Sequence, residues 1–259
     1  MPIMKVASLN IRYDGAPDGD FVWSKRRQRC LEAIGAIGAD IFGFQEAVSN
    51  QIDDIHRAFP EMTKVACGRD DGVSKGESCL IMVSRKYRVL NKGTFWLSEK
   101  PFEPGSVSWG ASCTRIATWV ELEGAAGRLL VVNTHWDVDS ELARDRSGKL
   151  IHTFLAAPSP GEWVPMQAYQ SKTIENVIVF GDFNCEPGSQ SLNFLGLKDT
   201  RSVLNQRAQA TFQGFGEQPE ECIDHIFCGS GLQPISFVTM NYEPPISDHN
   251  PIVATFPQW

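Results

Sequence analysis

The sequence predicts an α/β sandwich: two β-sheets face to face, with helices on the outside. Three observations predict it. Nine short runs rich in Val, Ile and Phe read as strands, several of them are apolar on both faces, and amphipathic helical patterns fall between some of them. A strand apolar on both faces must be covered on both sides, by a second sheet or by helices. With 259 residues and no repeat, low-complexity tract or linker, residues 1–259 are expected to form one domain.

The strands are expected at Met4–Asn10, Ile41–Gln45, Cys79–Ser84, Val89–Trp96, Arg115–Glu121, Leu129–Thr134, Asn176–Gly181, Ile223–Cys228 and Ile252–Phe256, most of them bounded by Gly, Pro, Asn or Asp. Ser24 reads as the N-cap of a helix reaching about Gly38, with Cys30, Leu31, Ile34 and Ile37 on one stripe. Asn50 reads as the cap of Gln51–Phe59, where Ile52, Ile55 and Phe59 share a face, and Ser140 starts a third helix through about Leu155. Ala157–Thr173 is the least regular stretch and reads as a long loop, a lid or an insertion.

Composition narrows the function. The net charge of −7 disfavours a protein that grips long nucleic acid through a basic face. Seven cysteines at scattered spacings, with no CxxC pair, support neither a zinc knuckle nor a disulfide framework. Reduced thiols and a cytoplasmic location are expected. The N-terminus runs straight into a strand pattern, and no segment has the length of a membrane span, so no membrane partner is expected.

Polar residues recur where apolar runs stop. Asn10 ends the first strand, Glu46 follows the second, His135 and Asp137 follow LLVVNT, and Asp182 and Asn184 follow NVIVFG. Asp224 opens IDHIF, and Asp248 and His249 open the last strand. Strand ends converge along one rim of a sheet, so residues distant in sequence meet there. Oxygen donors without cysteine suit a hard cation such as Mg²⁺ or Mn²⁺. Histidines nearby can neutralise charge on phosphate oxygens, and a positioned carboxylate can deprotonate water. The chain has no GxSxG, P-loop or HExxH motif, which leaves metal-assisted attack of water on a phosphoester as the simplest fit.

The blocks SLNIRYD (Ser8–Asp14), FQE (Phe44–Glu46), NTHWD (Asn133–Asp137), GDFNCEP (Gly181–Pro187), TFQGF…IDHIF (Thr211–Phe227) and SDHNPIVA (Ser247–Ala254) resemble those of the endonuclease/exonuclease/phosphatase, or DNase I-like, superfamily. Each block alone is weak, but together they stand in family order along nearly the whole chain. The likeness is to the branch carrying NIRYD and TFxGF. It implies a four-layer α/β sandwich, two facing mixed sheets flanked by helices. It also implies a Mg²⁺- or Mn²⁺-dependent hydrolase in which Glu46 is the principal metal ligand with Asn10 beside it. Asp182 would activate water, Asn184 would contact the phosphate or that water, and His135 and His249 would bind the scissile phosphate. Asp224 would orient His249, and Asp248 would be a second metal ligand or help the leaving group.

Arg12 and Arg115 are expected either to clamp a substrate phosphate or to form salt bridges. Trp136 either stacks on a base or sugar or packs in the core, and Asp137 sits behind the ligands. Two features depart from the branch: Val138 stands where a histidine is usual, and Ala157–Thr173 is longer than a compact connection. The reading is a phosphatase or phosphodiesterase acting on a small phosphorylated substrate such as a nucleotide or sugar phosphate. The alternative is a nuclease with the same site, for which Arg26, Arg27 and Arg29 form the best basic strip; a catalytically inactive binding module is the third reading.

Overall fold

The computed structural model describes residues 3–125, 127–157, 175–217 and 220–258. Twelve strands are β1 (Ile3–Asn10), β2 (Ile41–Ala47), β3 (Met62–Val65), β4 (Ser78–Ser84), β5 (Arg88–Trp96), β6 (Ile116–Gly124), β7 (Gly127–His135), β8 (Val177–Asp182), β9 (Lys198–Asp199), β10 (Asp224–Cys228), β11 (Ser236–Thr239) and β12 (Ile252–Pro257). The longer helices are α1 (Trp23–Ile37), α2 (Ser49–Ala58) and α3 (Glu141–Leu155), followed by the short α4 (Gln190–Asn193) and α5 (Thr200–Val203).

The strands form two six-stranded mixed sheets, ordered β11–β12–β1–β2–β4–β3 and β5–β6–β7–β8–β10–β9. Each sheet contains one parallel pair, β1 with β2 and β7 with β8, and the remaining neighbours run antiparallel. Alternation along each strand sorts the apolar residues into layers. Met4, Val6, Ile41, Ile81, Val131, Ile178, Phe180 and Ile226 fill the space between the sheets. Leu9, Phe42, Phe44 and Leu80 point the other way, onto Ile34, Ile37 and Ile55 of α1 and α2. Val132, Val179 and Phe227 cover the outer face of the second sheet against Ile151 and Phe154 of α3.

The nine expected strands are all present, and the parity that directs Met4, Val6 and Ile178 inward also directs Asn10 and Asp182 inward at the strand ends. Three strands went unread, β3 (MTKV), β9 (KD) and β11 (SFVT), because each is short and lies at a sheet edge, where one-sided burial leaves no apolar run. The helix starts also shift. The first helix begins at Trp23 after Val22, placing Ser24 inside its first turn. Asn50 lies within α2, donating through Nδ2 to Asp14 Oδ2 at 2.6 Å. Ser140 caps α3 as expected, its side chain accepting from the Ala143 amide. Beyond Ala157, the expected loop through Thr173 lies outside the described residues. No helix among the described residues is long and apolar enough to cross a membrane, and their cysteines are free thiols.

Gly43 of β2 lets the Phe180 ring of β8 lie directly against its backbone: a Cβ at Gly43 would sit 1.8 Å from that ring. Gly43→Ala must therefore push the sheets apart or force Phe180 off its rotamer, and overpacking of this kind costs about 1–3 kcal/mol. Urea denaturation of the variant should show that loss, and an unchanged midpoint would mean that the sheets are not packed as described.

Candidate active site

The two parallel pairs place the carboxyl ends of β1, β2, β7 and β8 at one rim, and the antiparallel neighbours β10 and β12 begin there. Along the inner faces, side chains change from apolar to polar toward this rim. Gln45 Nε2 donates to Asn133 Oδ1 at 2.7 Å and to Ser8 Oγ at 3.1 Å. Asn133 Nδ2 in turn donates to the carbonyls of Phe44 and Leu80 across the sheet gap. A buried polar network that spans the gap in this way fixes the relative position of the two sheets.

Above it sits Asp182, 2% exposed at the end of β8. Its Oδ2 accepts from Asn10 Nδ2 at 3.1 Å, and its Oδ1 accepts from the backbone N–H of Asn184 at 3.0 Å. The Nε2 atoms of His135 and His249 lie 3.5 and 3.7 Å from the same Oδ2. Asn10 Nδ2 also donates to Glu46 Oε1 at 3.0 Å, and the Tyr13 amide donates to Glu46 Oε2 at 3.1 Å. Glu46 reaches the rim because β2 bulges between Phe44 and Ala47 and Glu46 takes φ 60°. Arg12 and Asn184 take φ 54° and 49°. Non-glycine residues rarely adopt this left-handed conformation, and such strain concentrates at functional sites.

Asp224 Oδ2 lies 2.8 Å from His249 Nδ1, fixing that ring. Thr211 Oγ1 accepts from the amides of Ile223 and Asp224, tying the TFQGF block to the start of β10. Burial opposes charge on His249, but Asp224, Asp182 and Asp248 outweigh it and raise its pKa to about 10. Burial and the neighbouring Asp224 raise that of Asp182 to about 7, against the pull of His249. His135 is held well below the usual imidazole range by burial, with Arg115 and Arg69 adding to it. One imidazole is thus cationic at neutral pH and the other neutral. Burial also raises the Asp248 carboxyl, and Glu46 adds repulsion to it.

Buried oxygens of Asp182 and Asp224 and a His249 nitrogen lie within 4.8 Å of one another, but a cationic His249 has no lone pair to give a metal. The oxygen donors of Glu46, Asp248 and Asn10 are the set whose chemistry fits a hard cation. The mutual repulsion of Asp182 with Asp224, and of Glu46 with Asp248, is the surplus negative charge that a cation relieves.

The remaining expected residues lie around this cluster. Trp136 is fully buried with its ring edge-on to Phe183 at 4.8 Å, so it packs the core and presents no face for a base or sugar. Asp137 accepts from the amides of Ser112, Asp139 and Ser140 and from Ser112 Oγ, pinning the turn before α3. Arg12 is held by Asp18 through two hydrogen bonds of 3.1 Å and lies 3.6 Å from Asp248, a salt bridge at the edge of the site. Arg115 is 7% exposed, 3.6 Å from Asp137, and lines a small cavity with Glu46 and His135. Arg69 and Glu77, paired at 2.6 Å, line the same cavity. No motif marked them, since they flank a Gly- and Ser-rich loop. His225 faces away from Asp224 and packs on Asp199 and the Cys185 carbonyl. Val138 is exposed.

The basic strip does not present three free guanidinium groups. Arg26 is fully buried and donates to the carbonyls of Phe21, Ile246 and Arg12, so it braces three segments that border the rim. Arg27 pairs with Asp54, and Arg29 donates to the Pro245 carbonyl. A cleft of about 870 Å³ between β3 and β5 is lined by none of the expected site residues.

Residues 7–249 match the Endonuclease/Exonuclease/phosphatase family. An endonuclease/exonuclease/phosphatase from Bacteroides vulgatus is similar at 31% identity and a TM-score of 0.88, with both chains covered in full. The mannosyl-6-phosphatase Bt3783 of Bacteroides thetaiotaomicron is 28% identical with a TM-score of 0.83, over 97% of this chain and 98% of that one. TDP2 from D. rerio, complexed with single-strand DNA product, shares the fold at 13% identity and a TM-score of 0.74, with both chains fully covered. No curated protein sequence matches significantly.

Removing the Asp224 charge should return His249 toward the ordinary imidazole range. An NMR titration should show His249 protonated up to about pH 10 in the parent protein and losing its proton at lower pH in Asp224→Asn. Identical titration curves would contradict the pairing.

Proposed function

Because the chain belongs to the endonuclease/exonuclease/phosphatase family, we propose that it is a divalent-metal-dependent phosphoester hydrolase acting on a small phosphorylated substrate. The observation that carries this reading is the Asp182 carboxylate, held by Asn10 and the Asn184 amide with two imidazoles against one oxygen. Glu46 and Asn10, with Asp248, are the residues we assign to Mg²⁺ or Mn²⁺, which when bound supplies positive charge to the phosphate oxygens.

Asp182 accepts a proton from water, and the pKa of about 7 suits a base working near neutrality. The water oxygen forms the new bond to phosphorus, the ester P–O bond breaks, and the departing alkoxide takes a proton from solvent. His249, held cationic by Asp224, donates to a phosphate oxygen and stabilises the charge that builds there. His135, neutral and buried, positions the phosphate by hydrogen bonding. Asn184 gives its side-chain N–H to the Trp136 carbonyl at 2.9 Å, which leaves its oxygen for the substrate or the water. Arg115 steadies the neighbourhood of His135 from the second sheet.

A small substrate is supported by the net charge of −7 and by the burial of Arg26 and the pairing of Arg27 and Arg29 with Asp54 and the Pro245 carbonyl. The name of the Bt3783 relative supports a sugar phosphate among the candidates. A cytoplasmic location fits the free thiols.

Phosphomonoesters, phosphodiesters and short oligonucleotides should be compared with Mg²⁺, Mn²⁺ and EDTA. Turnover should require the cation. Asp182→Ala and His249→Ala should each lose about 10²–10⁴-fold in kcat with the fold retained by circular dichroism. Activity surviving EDTA or either substitution would remove the reading. Asp182→Asn should also melt higher, by about 2–4 °C per kcal/mol gained. A carboxyl whose folded pKa is raised makes the native state less stable once pH exceeds its unfolded value, and the amide removes that cost.

A further inference from the structure

A cleft of about 500 Å³ opens beside the catalytic rim on the side of Arg12 and Asp248, within the size range of small-ligand sites. Phe21 and Phe215 line it with their rings stacked, centroids 4.4 Å apart and planes 8° from parallel. Phe215 holds φ 56° between two glycines, an unusual conformation for a bulky residue, so its ring position is imposed by the fold. Phe212 forms another wall, and its ring lies 5.0 Å from that of His249. The cleft therefore shares a wall with the residue assigned to the phosphate.

Its charge is one-sided. Besides Asp248, assigned to the cation, Asp18, Asp20 and Glu217 line it against a single guanidinium, Arg12, which Asp18 already engages. Lys25 pairs with Asp20 but does not line the cleft. Carboxylates accept hydrogen bonds from hydroxyl groups, and the C–H face of a sugar ring packs on aromatic carbon. A leaving group carrying further phosphates would meet like charge.

We propose that this cleft is the leaving-group subsite and that it takes a neutral polyhydroxylated group, so the substrate class is a sugar or polyol monophosphate. The inference rests on the reading that the rim hydrolyses phosphoesters, and it adds Phe21, Phe215, Asp20 and Glu217 as specificity-determining residues. Phe212, whose ring packs 5.0 Å from that of His249 and which lines the cleft, joins the assigned phosphate position to the stacked rings along one wall, the path the sugar would follow.

The test compares kcat/KM for glucose and mannose monophosphates, a hexose bisphosphate and methyl phosphate, with Mg²⁺ present. The monophosphates should exceed both others by about tenfold or more. In Phe215→Ala the ratio of hexose monophosphate to methyl phosphate should fall about tenfold. In the doubly charge-reversed Asp20→Lys/Glu217→Lys, which alters exposed side chains only, the discrimination against the bisphosphate should shrink about fivefold and depend on salt. Hydrolysis of all these monoesters with equal efficiency, or ratios that neither variant moves, would overturn the leaving-group assignment alone. Absence of any metal-dependent phosphoester hydrolysis would overturn the parent reading and this one with it.

Discussion

A carboxylate buried between two β-sheets must be surrounded by partners, and the arrangement of the rim follows from satisfying Asp182. Burying an unpaired charge costs several kcal/mol, more than most single contacts supply. The partners come from both sheets: Asn10 from β1, His135 from β7, the Asn184 amide after β8, and His249 before β12. Only a topology that brings the carboxyl ends of two parallel pairs to the same edge can gather them. The antiparallel neighbours β10 and β12 then contribute their amino ends, with Asp224 and His249, to the same place.

That convergence needs rigid support. Beneath the rim, the Gln45–Ser8–Asn133 network ties the sheets together. To one side, Arg26 holds three loop carbonyls, a role open to a buried guanidinium because its donors form a fixed fork. Strained backbone at Arg12, Glu46 and Asn184 is tolerated where such contacts over-determine the chain. Burial and Asp224 set the Asp182 carboxyl near neutrality beside a cationic imidazole, the pairing that the proposed general base would use. A carboxyl raised in this way costs the native state stability above its unfolded pKa.

Much of this was legible in the sequence, for physical reasons. Central strands such as IFGFQ and NVIVFG are buried on both faces, so their apolar runs are unmistakable, and the polar residues that stop them mark the rim. Edge strands such as MTKV lack that signal. Trp136 lies in a motif between His135 and Asp137, yet strand parity sends it outward from the sheet gap into the α3-side core. Arg26 looks like part of a solvated basic strip in one dimension, and only the packing of α1 against the rim loops shows it to be a brace. Arg69 and Glu77 became visible only through tertiary contact with Arg115 and His135, because no periodicity or spacing connects their loop to the site. The stacking of Phe21 on Phe215 joins segments far apart in the chain, and the TFQGF block hinted at only one partner.

The central claim is that Glu46 and Asn10, together with Asp248, hold a divalent cation beside Asp182. Anomalous diffraction from crystals soaked in Mn²⁺ measures this directly. The account predicts an anomalous peak in contact with the Glu46 carboxylate at the rim, lost in Glu46→Gln. A peak elsewhere, or none at the rim under conditions that support hydrolysis, would contradict it.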